Sequence, residues 1–272
     1  MDLQKTRLGV IGGGIMAENI VRGIITAGLL PPESITVSDI NADRCALLQK
    51  KYSVTATRDN RKTIGSADVI ILAVKPQNMK GLLEDIADVA DDTKLFLSIA
   101  AGVTTAAIAK ALSGNGRIIR IMPNTAARVL QSASALCLGP AATAEDLARA
   151  QKIFGAIGKT VVINEELMDA VTGVSGSGPA YIFLVIEALA DAGVKAGLTR
   201  QTAQELAAQT CLGAAQLVLS TGEHPGVLKD QVTSPAGTTI CALHELEKNA
   251  VRGSFIDAVQ AAVTRAKQLG ES

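Results

Sequence analysis

A glycine-rich turn close to the N-terminus limits the possible folds of this chain most sharply. The short apolar run Leu8 to Ile11 leads into Gly12-x-Gly14-x-x-Ala17, and a helical apolar pattern follows. In a dinucleotide-binding fold the first glycine makes the tight turn and the second lets a pyrophosphate approach the backbone. A small third residue then lets the helix pack on its strand. A purely structural turn stays open as an alternative, but a position between a strand and a helix favours dinucleotide binding.

Strand and helix patterns alternate up to about Asn164, which predicts a mostly parallel, doubly wound sheet of the Rossmann type. The predicted strands are Leu8–Ile11, Ile35–Ser38, Val69–Val74, Leu95–Ser98, Arg117–Ile121, Ala133–Leu138 and Thr160–Ile163. The predicted helices between them are Ala17–Ala27, Ala42–Lys50, Met79–Val89, Thr105–Leu112 and Ala144–Phe154.

From Glu165 onward only helical patterns follow, so we predict two domains, a dinucleotide-binding domain over residues 1–164 and an all-α domain over 165–272. The predicted helices are Ala180–Ala192, Arg200–Ser220, Thr239–Glu247 and Arg252–Gln268. Runs such as Ala203–Leu219 are apolar on most sides, and no sheet in this half would cover them. We therefore expect the helical domain to dimerise with a second copy, with a compact monomeric bundle as the alternative.

Composition excludes several function classes. The chain has 26 basic and 26 acidic residues and only six aromatic ones, two Tyr and four Phe. A neutral chain with so few aromatic rings lacks the charge and the stacking surfaces of a nucleic-acid binder. No signal peptide is visible, and the uncharged stretch Ala170 to Ile186 is interrupted by glycines and a proline and is too short for a membrane span. We expect a cytoplasmic protein without membrane or nucleic-acid partners.

The four cysteines are widely separated in the sequence, which predicts ordinary small buried residues. Cys241 and His244 lie three positions apart on one predicted helix, but no further cluster completes a set of ligands. We therefore predict no metal site.

The carboxyl ends of the predicted strands face the ligand crevice of such a sheet, so the residues there are the candidates for cofactor binding. Asp39, after Ser38, could accept hydrogen bonds from the ribose hydroxyls and repel a 2′-phosphate, whereas Arg44 could bind that phosphate. The alternative is that Asp39 only begins a turn with Asn41. The full predicted set is Gly12, Gly14, Ile15, Met16, Ser38, Asp39, Ala73, Val74, Lys75, Pro76, Ala100, Ala101, Gly102, Met122, Pro123 and Asn124.

Two residues in that set carry more specific hypotheses. Asn124 could offer its amide to the nicotinamide carboxamide or its ribose, although a Pro-Asn turn is the plain alternative. Lys75 could be a general acid, but the pattern favours a solvated lysine at a strand end. Pro76 is expected to open the next helix.

The segment Lys229 to Ile240 has the composition of a helix start that is left open for an anion. Ser234 is predicted as the N-cap and Pro235 as the first helical residue, and Thr238 and Thr239 supply hydroxyls in the first turn. Without context, the same residues would describe a well-capped helix and nothing more.

Five motifs in this order resemble the pyrroline-5-carboxylate reductase family over essentially the whole chain. They are Gly-x-Gly-x-x-Ala from Gly12, Ala-Val-Lys-Pro-Gln from Ala73, Met-Pro-Asn-Thr from Met122, Gly-Ser-Gly-Pro-Ala-Tyr from Gly176 and Thr-Ser-Pro-Ala-Gly-Thr-Thr from Thr233. The last two make the resemblance specific, because other dehydrogenases with a helical second domain lack them. A β-hydroxyacid-type dehydrogenase would want a lysine on the first long helix, and Ala180–Ala192 contains none. A non-catalytic dinucleotide-binding regulator could lose Thr239, which this chain keeps.

The resemblance implies reduction of a cyclic imine to L-proline by NAD(P)H in a homodimer. It places Thr239 near the imine nitrogen as the catalytic residue and assigns substrate binding to Val232, Ser234, Gly237 and Thr238. Two departures stand out, because Ala236 replaces a glycine and Ile40 stands where NADPH-using relatives often carry an arginine. NADPH is the family default, but Asp39 gives a slight preference for NADH.

Overall fold

The structure is a computed structural model that describes residues 5–270. Eight strands form one sheet in the order β3-β2-β1-β4-β5-β6-β7-β8. Their bounds are β1 Leu8–Ile11, β2 Ile35–Ser38, β3 Thr55–Thr57, β4 Val69–Leu72, β5 Leu95–Ser98, β6 Arg117–Met122, β7 Ser132–Leu138 and β8 Gly158–Val162. All neighbours are parallel except β6 and β7. The predicted doubly wound Rossmann-type fold is confirmed.

Helices cover both faces of the sheet, as its fully buried central strands require. They are α1 Ile15–Thr26, α2 Ala42–Tyr52, α3 Asn60–Gly65, α4 Pro76–Ile86, α5 Thr105–Ala111 and α6 Ala144–Gly155. Neighbouring residues of β1 point into opposite cores: Val10 packs with Ile20 of α1, and Ile11 packs with Met79 of α4. Strand order reverses between β1 and β4, and in such sheets the ligand crevice lies at the carboxyl ends of the strands flanking that point.

Before residue 164 the structure adds one strand and one α-helix that the sequence prediction lacks, and after it the short α-helices Met168–Val171 and Pro225–Gln231. β3 has three residues and none of them is buried, so no apolar pattern reveals it. The helix α3 has six residues and begins at the Asp59 cap. The strand predicted over Val69–Val74 ends at Leu72, because Ala73 and Val74 already belong to the loop.

The chain divides into two compact units, which we call unit 1 (residues 1–176 and 262–272) and unit 2 (residues 177–261). The predicted domain boundary lies at 164/165, whereas the short helices that follow it pack in unit 1. There the buried Met168, in helix α7 (Met168–Val171), contacts Ala135 and Cys137 of β7. The remaining helices are α8 Gly178–Lys195, α9 Arg200–Thr221, α10 Pro225–Gln231, α11 Thr238–Lys248 and α12 Val251–Gly270.

Unit 2 has little core of its own within one chain. Its buried apolar cluster consists of Ala190, Ala203 and Ala207, while large side chains such as Phe183 and Leu184 are exposed. The helical run Glu165–Lys195 is long and apolar enough to cross a membrane by length and composition alone, and 17% of its most apolar window is buried. The glycines and Pro179 do interrupt the stretch Ala170 to Ile186, because the π-helical turn Thr172–Gly176 ends before α8 begins at Gly178 with Pro179 in its first turn. Apolar helix surface this exposed is normally buried in an interface, and in obligate homodimers a second copy of the chain provides the other side of that interface.

Candidate cofactor and substrate sites

The turn after β1 has the geometry that a dinucleotide requires. Gly12 has φ +94°, and a Cβ there would approach the Ala73 carbonyl oxygen to 2.8 Å, so only glycine fits. Gly14 is the N-cap of α1 and provides no side chain, which leaves the first N–H groups of the helix open. A Cβ on Gly14 would have nothing within 4 Å. The open space and the free donors fit a pyrophosphate at the helix N-terminus.

A cleft of about 590 Å³ lies beside this turn in unit 1. Of the predicted cofactor residues, it is lined by Gly12, Gly14, Ser38, Asp39, Ala73, Val74 and Lys75. The cleft also includes residues that the sequence prediction missed, namely Asn60, Gln77, Asn78, Gly81 and Asp85. Asn60 lies just beyond the unpredicted β3, where its side-chain oxygen accepts a hydrogen bond from Ser38 Oγ at 2.9 Å.

Asp39 lies at the end of β2 with both carboxylate oxygens hydrogen-bonded to backbone. Its Oδ2 accepts from the Gly13 N–H at 2.7 Å, and its Oδ1 accepts from the Asn41 N–H at 2.8 Å. The carboxylate therefore ties the glycine-rich turn to the turn between β2 and α2. Each oxygen keeps a second lone pair that can accept from a ribose hydroxyl.

Arg44 is engaged within the protein, which disfavours it as the phosphate partner that the sequence allowed. Its Nε donates to the Gly13 carbonyl oxygen, and its guanidinium pairs with Glu18 of α1. Glu18 also accepts hydrogen bonds from Lys51 Nζ at 2.8 Å and from Tyr52 Oη at 2.9 Å. Burial raises the pKa of Glu18, but these three donors outweigh it and lower the pKa to about 2.

The other predicted cofactor residues lie outside the lining of this cleft. Pro76 opens α4 with Lys75 as its N-cap, as the sequence predicts. Ile15 is exposed and Met16 half-buried in the first turn of α1. Ala100, Ala101 and Gly102 follow β5, Met122 ends β6, and Pro123 lies directly after that strand.

Asn124 is buried, and its amide is already used in holding a turn. Its Oδ1 accepts from the Ala126 N–H at 3.1 Å and its Nδ2 donates to the Ser175 carbonyl oxygen at 3.1 Å. Ser175 belongs to a π-helical turn, Thr172–Gly176, a kind of element that is frequent at functional sites. These contacts match the Pro-Asn turn alternative and link the end of β6 to that element.

The candidate substrate residues of unit 2 surround the start of α11. Its N-cap is Gly237 and not Ser234, so the predicted cap was wrong, and Pro235 lies before the helix. The Ser234 carbonyl oxygen accepts from the Gly237 N–H at 3.1 Å. A Cβ on Gly237 would overlap Ser234 Oγ, so a larger residue there would force the Ser234 side chain to turn away. Ala236, between them, has a left-handed backbone with φ +55°.

The first turn of α11 thus begins without a side-chain cap. It carries the half-buried Thr239 and the exposed Thr238, while the predicted Val232 is 65% exposed just after α10. Uncapped N–H groups next to two hydroxyls can bind a carboxylate, because the helix dipole favours an anion at that end.

Comparison with known proteins covers nearly the whole chain. A family model described as pyrroline-5-carboxylate reductase dimerisation matches residues 165–269, and one described as NADP oxidoreductase, coenzyme F420-dependent, matches residues 7–102. A pyrroline-5-carboxylate reductase of Methanosarcina acetivorans is 46% identical over 99% of this chain and 100% of its own length.

Two solved structures of pyrroline-5-carboxylate reductases are also similar to this chain over almost its whole length. The pyrroline-5-carboxylate reductase of Coxiella burnetii superposes with a TM-score of 0.94 at 40% identity, covering 99% of this chain and 100% of the other. The Plasmodium falciparum pyrroline carboxylate reductase with NADP bound gives a TM-score of 0.88 at 30% identity, covering 98% and 99%.

Proposed function

The chain belongs to the pyrroline-5-carboxylate reductase family, and we propose how its own residues carry out the family's reaction. The enzyme reduces the cyclic imine of 1-pyrroline-5-carboxylate to L-proline, the last step of proline biosynthesis, with NAD(P)H as cofactor. When bound, the cofactor supplies the hydride that reduces the imine carbon. The residues described below bind and orient the reactants and supply a proton to the nitrogen.

Unit 1 holds the cofactor through the turn after β1. The open N–H groups that follow Gly14 bind the pyrophosphate, and the absence of a side chain at Gly12 and Gly14 lets it approach. Asp39 fixes the shape of this turn through the Gly13 N–H and accepts from the adenosine ribose with its remaining lone pairs. Ala73, Val74 and Lys75 line the cleft next to it.

Unit 2 holds the substrate at the start of α11. The N–H groups of the first turn bind the carboxylate, and the hydroxyls of Ser234 and Thr238 complete its hydrogen bonds. The Thr239 hydroxyl donates a hydrogen bond to the imine nitrogen and orients it. As the imine carbon is reduced, the hydroxyl proton passes to the nitrogen, and solvent water returns a proton to Thr239. Positioning of this kind supplies most of the rate enhancement for a reaction that needs one hydride and one proton. The uncapped start of α11, with Gly237 as N-cap, is the observation that carries this proposal.

The enzyme is a soluble homo-oligomer, and the exposed apolar helices of unit 2 are the surface that oligomerisation covers. We propose that the interface buries more than about 2,000 Å², as obligate interfaces do. We also propose that the enzyme works in the cytoplasm. The functional domain boundary is proposed at 164/165, where the matched dimerisation region begins.

Cofactor oxidation assayed with 1-pyrroline-5-carboxylate tests the function directly. The purified protein should oxidise NADH or NADPH only when the imine is present. One molecule of L-proline should form for each molecule of cofactor that is oxidised. A 3-hydroxy acid offered with the oxidised cofactors serves as the control substrate for the related dehydrogenase class. Turnover of that acid without turnover of the imine would refute the proposal.

A further inference from the structure

Arg58, which neither the sequence prediction nor the cleft lining includes, lies at the adenosine end of the cofactor site. We propose that its guanidinium binds the 2′-phosphate of NADPH and thereby determines how strongly the enzyme prefers NADPH over NADH. The inference rests on the proposed cofactor site in unit 1 and assigns a specificity role to one further residue.

The sheet brings Arg58 next to the turn that follows β2. Ser38 and Thr57 are paired at the carboxyl ends of β2 and β3, and the Asp39 N–H donates to the Thr57 carbonyl oxygen at 3.1 Å. Arg58 follows Thr57 directly, and its Nε donates to the Ile40 carbonyl oxygen at 3.2 Å. This hydrogen bond anchors the guanidinium beside residue 40, one position beyond the residue that accepts from the ribose.

The anchored guanidinium keeps its charge and its terminal donors for a ligand. In the described part of the chain, Arg58 forms no ion pair, whereas two neighbouring arginines are already occupied. Arg44 pairs with Glu18, and Arg61 binds both carboxylate oxygens of Asp88 at 2.6 Å. The fork of an arginine matches a phosphate in bidentate fashion, which a lysine cannot reproduce.

The surrounding residues leave room for that phosphate. Ile40 is 81% exposed and carries no charge, so its side chain neither binds nor repels an anion. Asp39 is the opposing charge, but the backbone N–H groups of Gly13 and Asn41 offset part of it. Arg58 therefore supplies the cation that residue 40 lacks.

Equilibrium binding of NADP⁺ and NAD⁺, measured by calorimetry on the intact protein without substrate, tests the proposal independently of activity. Arg58→Gln should weaken NADP⁺ binding about ten- to a hundred-fold, as expected for losing a hydrogen bond to a charged group. NAD⁺ binding should change less than about two-fold, because that ligand has no 2′-phosphate. Arg58→Lys should restore part of the loss.

Arg61→Gln is the matched control, since it removes a neighbouring cation that is bound to Asp88 and should leave the NADP⁺ to NAD⁺ affinity ratio unchanged. If Arg58→Gln weakened the binding of both nucleotides equally, or of neither, the NADP⁺ to NAD⁺ affinity ratio would stay unchanged and the assignment would be overturned. If the unaltered protein bound neither nucleotide, the cofactor site itself would be wrong and the proposed function would fail with it.

Discussion

The carboxylate of Asp39 accepts a hydrogen bond from the Gly13 N–H at 2.7 Å and so joins the end of β2 to the glycine-rich turn. In the sequence, Asp39 suggested a partner for the ribose hydroxyls and a source of repulsion for a 2′-phosphate, or else the start of a turn with Asn41, whose N–H does donate to Asp39 Oδ1. In the structure the hydrogen bond that Asp39 accepts from Gly13 also supports the glycine-rich turn, where we propose that the pyrophosphate binds. The two roles have different consequences when the residue is replaced.

Asp39→Ser should weaken the binding of both nucleotides, because the Gly13 and Asn41 N–H groups lose a charged acceptor. A hydrogen bond to a charged group contributes about 1.5–3 kcal/mol, so losses of about ten-fold or more are expected for each nucleotide. The NADP⁺ to NAD⁺ affinity ratio should still rise, since a carboxylate near a phosphate costs about 1 to 4 kcal/mol. Calorimetric titration separates the two effects. A fall in affinity without a rise in the ratio would show that Asp39 supports the turn but does not discriminate.

Glu18 should make stability depend on acid pH. Burial raises its pKa, but the hydrogen bonds from Lys51, Arg44 and Tyr52 bring the pKa down from 4.5 to about 2. A carboxyl with a depressed pKa stabilises the fold fully above the ordinary value and loses that contribution as the pH falls toward the folded value. The full contribution is on the order of 3 kcal/mol.

Urea unfolding of the unaltered protein and Glu18→Gln, at one protein concentration, should therefore show a difference in unfolding free energy that is largest above about pH 4.5. The difference should shrink between pH 4.5 and 2. Glu145→Gln, which removes a 60% exposed partner of Arg149, is the control and should cost about 0.5 kcal/mol or less. A Glu18→Gln difference that stayed constant across this range would contradict the role of the ion-pair cluster.

Ala236→Gly should leave the protein as stable as before or stabilise it by up to about 1 kcal/mol. A left-handed backbone costs a residue with a Cβ about 1–2 kcal/mol, which offsets the greater flexibility of glycine in the unfolded chain. Ala46→Gly, at an exposed position inside α2, is the matched control and should cost about 1 kcal/mol. Thermal unfolding compares the two, and equal destabilisation would mean that Ala236 is not strained.

Glu165 should be required for stability because it compensates a buried charge. Its carboxylate accepts from Arg120 at 3.2 Å and from the Thr105 N–H at 2.8 Å, and Arg120 is 5% exposed. Glu165→Ala leaves that guanidinium unpaired and should cost about 3–5 kcal/mol. The exposed pair of Arg200 and Asp191 provides the comparison, since Asp191→Asn should cost about 1 kcal/mol or less in the same unfolding experiment. Similar losses for the two variants would contradict this account.

The sequence predicts the sheet well where burial leaves a pattern. β1, β4 and β5 are buried along their whole length, and their apolar runs located them to within two residues. β3 is short and not buried, so no local sequence pattern predicts its pairing with β2 at the edge of the sheet. The approach of Arg58 to Ile40 depends on that pairing and could not be predicted either.

At the two candidate sites, too, the sequence predicts what a local pattern encodes and misses contacts between residues far apart in the chain. The backbone positions of Gly12 in the tight turn and of Pro76 at the start of α4 were predicted correctly, because they follow from backbone chemistry. The cap of α11 was misassigned because Ser234 and Pro235 form an ordinary start signal. The left-handed turn at Ala236 moves the helix start to Thr238. Hydrogen bonds that engage Arg44 and Asn124 involve partners far away in the chain, which a sequence pattern cannot reveal.

Steady-state reduction of 1-pyrroline-5-carboxylate by Thr239→Ala, together with nucleotide binding to the same variant, tests the central claim most directly. Losing one hydrogen bond to a group that develops charge costs about 1.5–3 kcal/mol, so kcat should fall roughly ten- to a hundred-fold. The dissociation constant for the nucleotide should stay unchanged, and Thr239→Ser should recover much of the rate. Unaltered kinetics in Thr239→Ala, or a loss explained entirely by weaker nucleotide binding, would contradict the account.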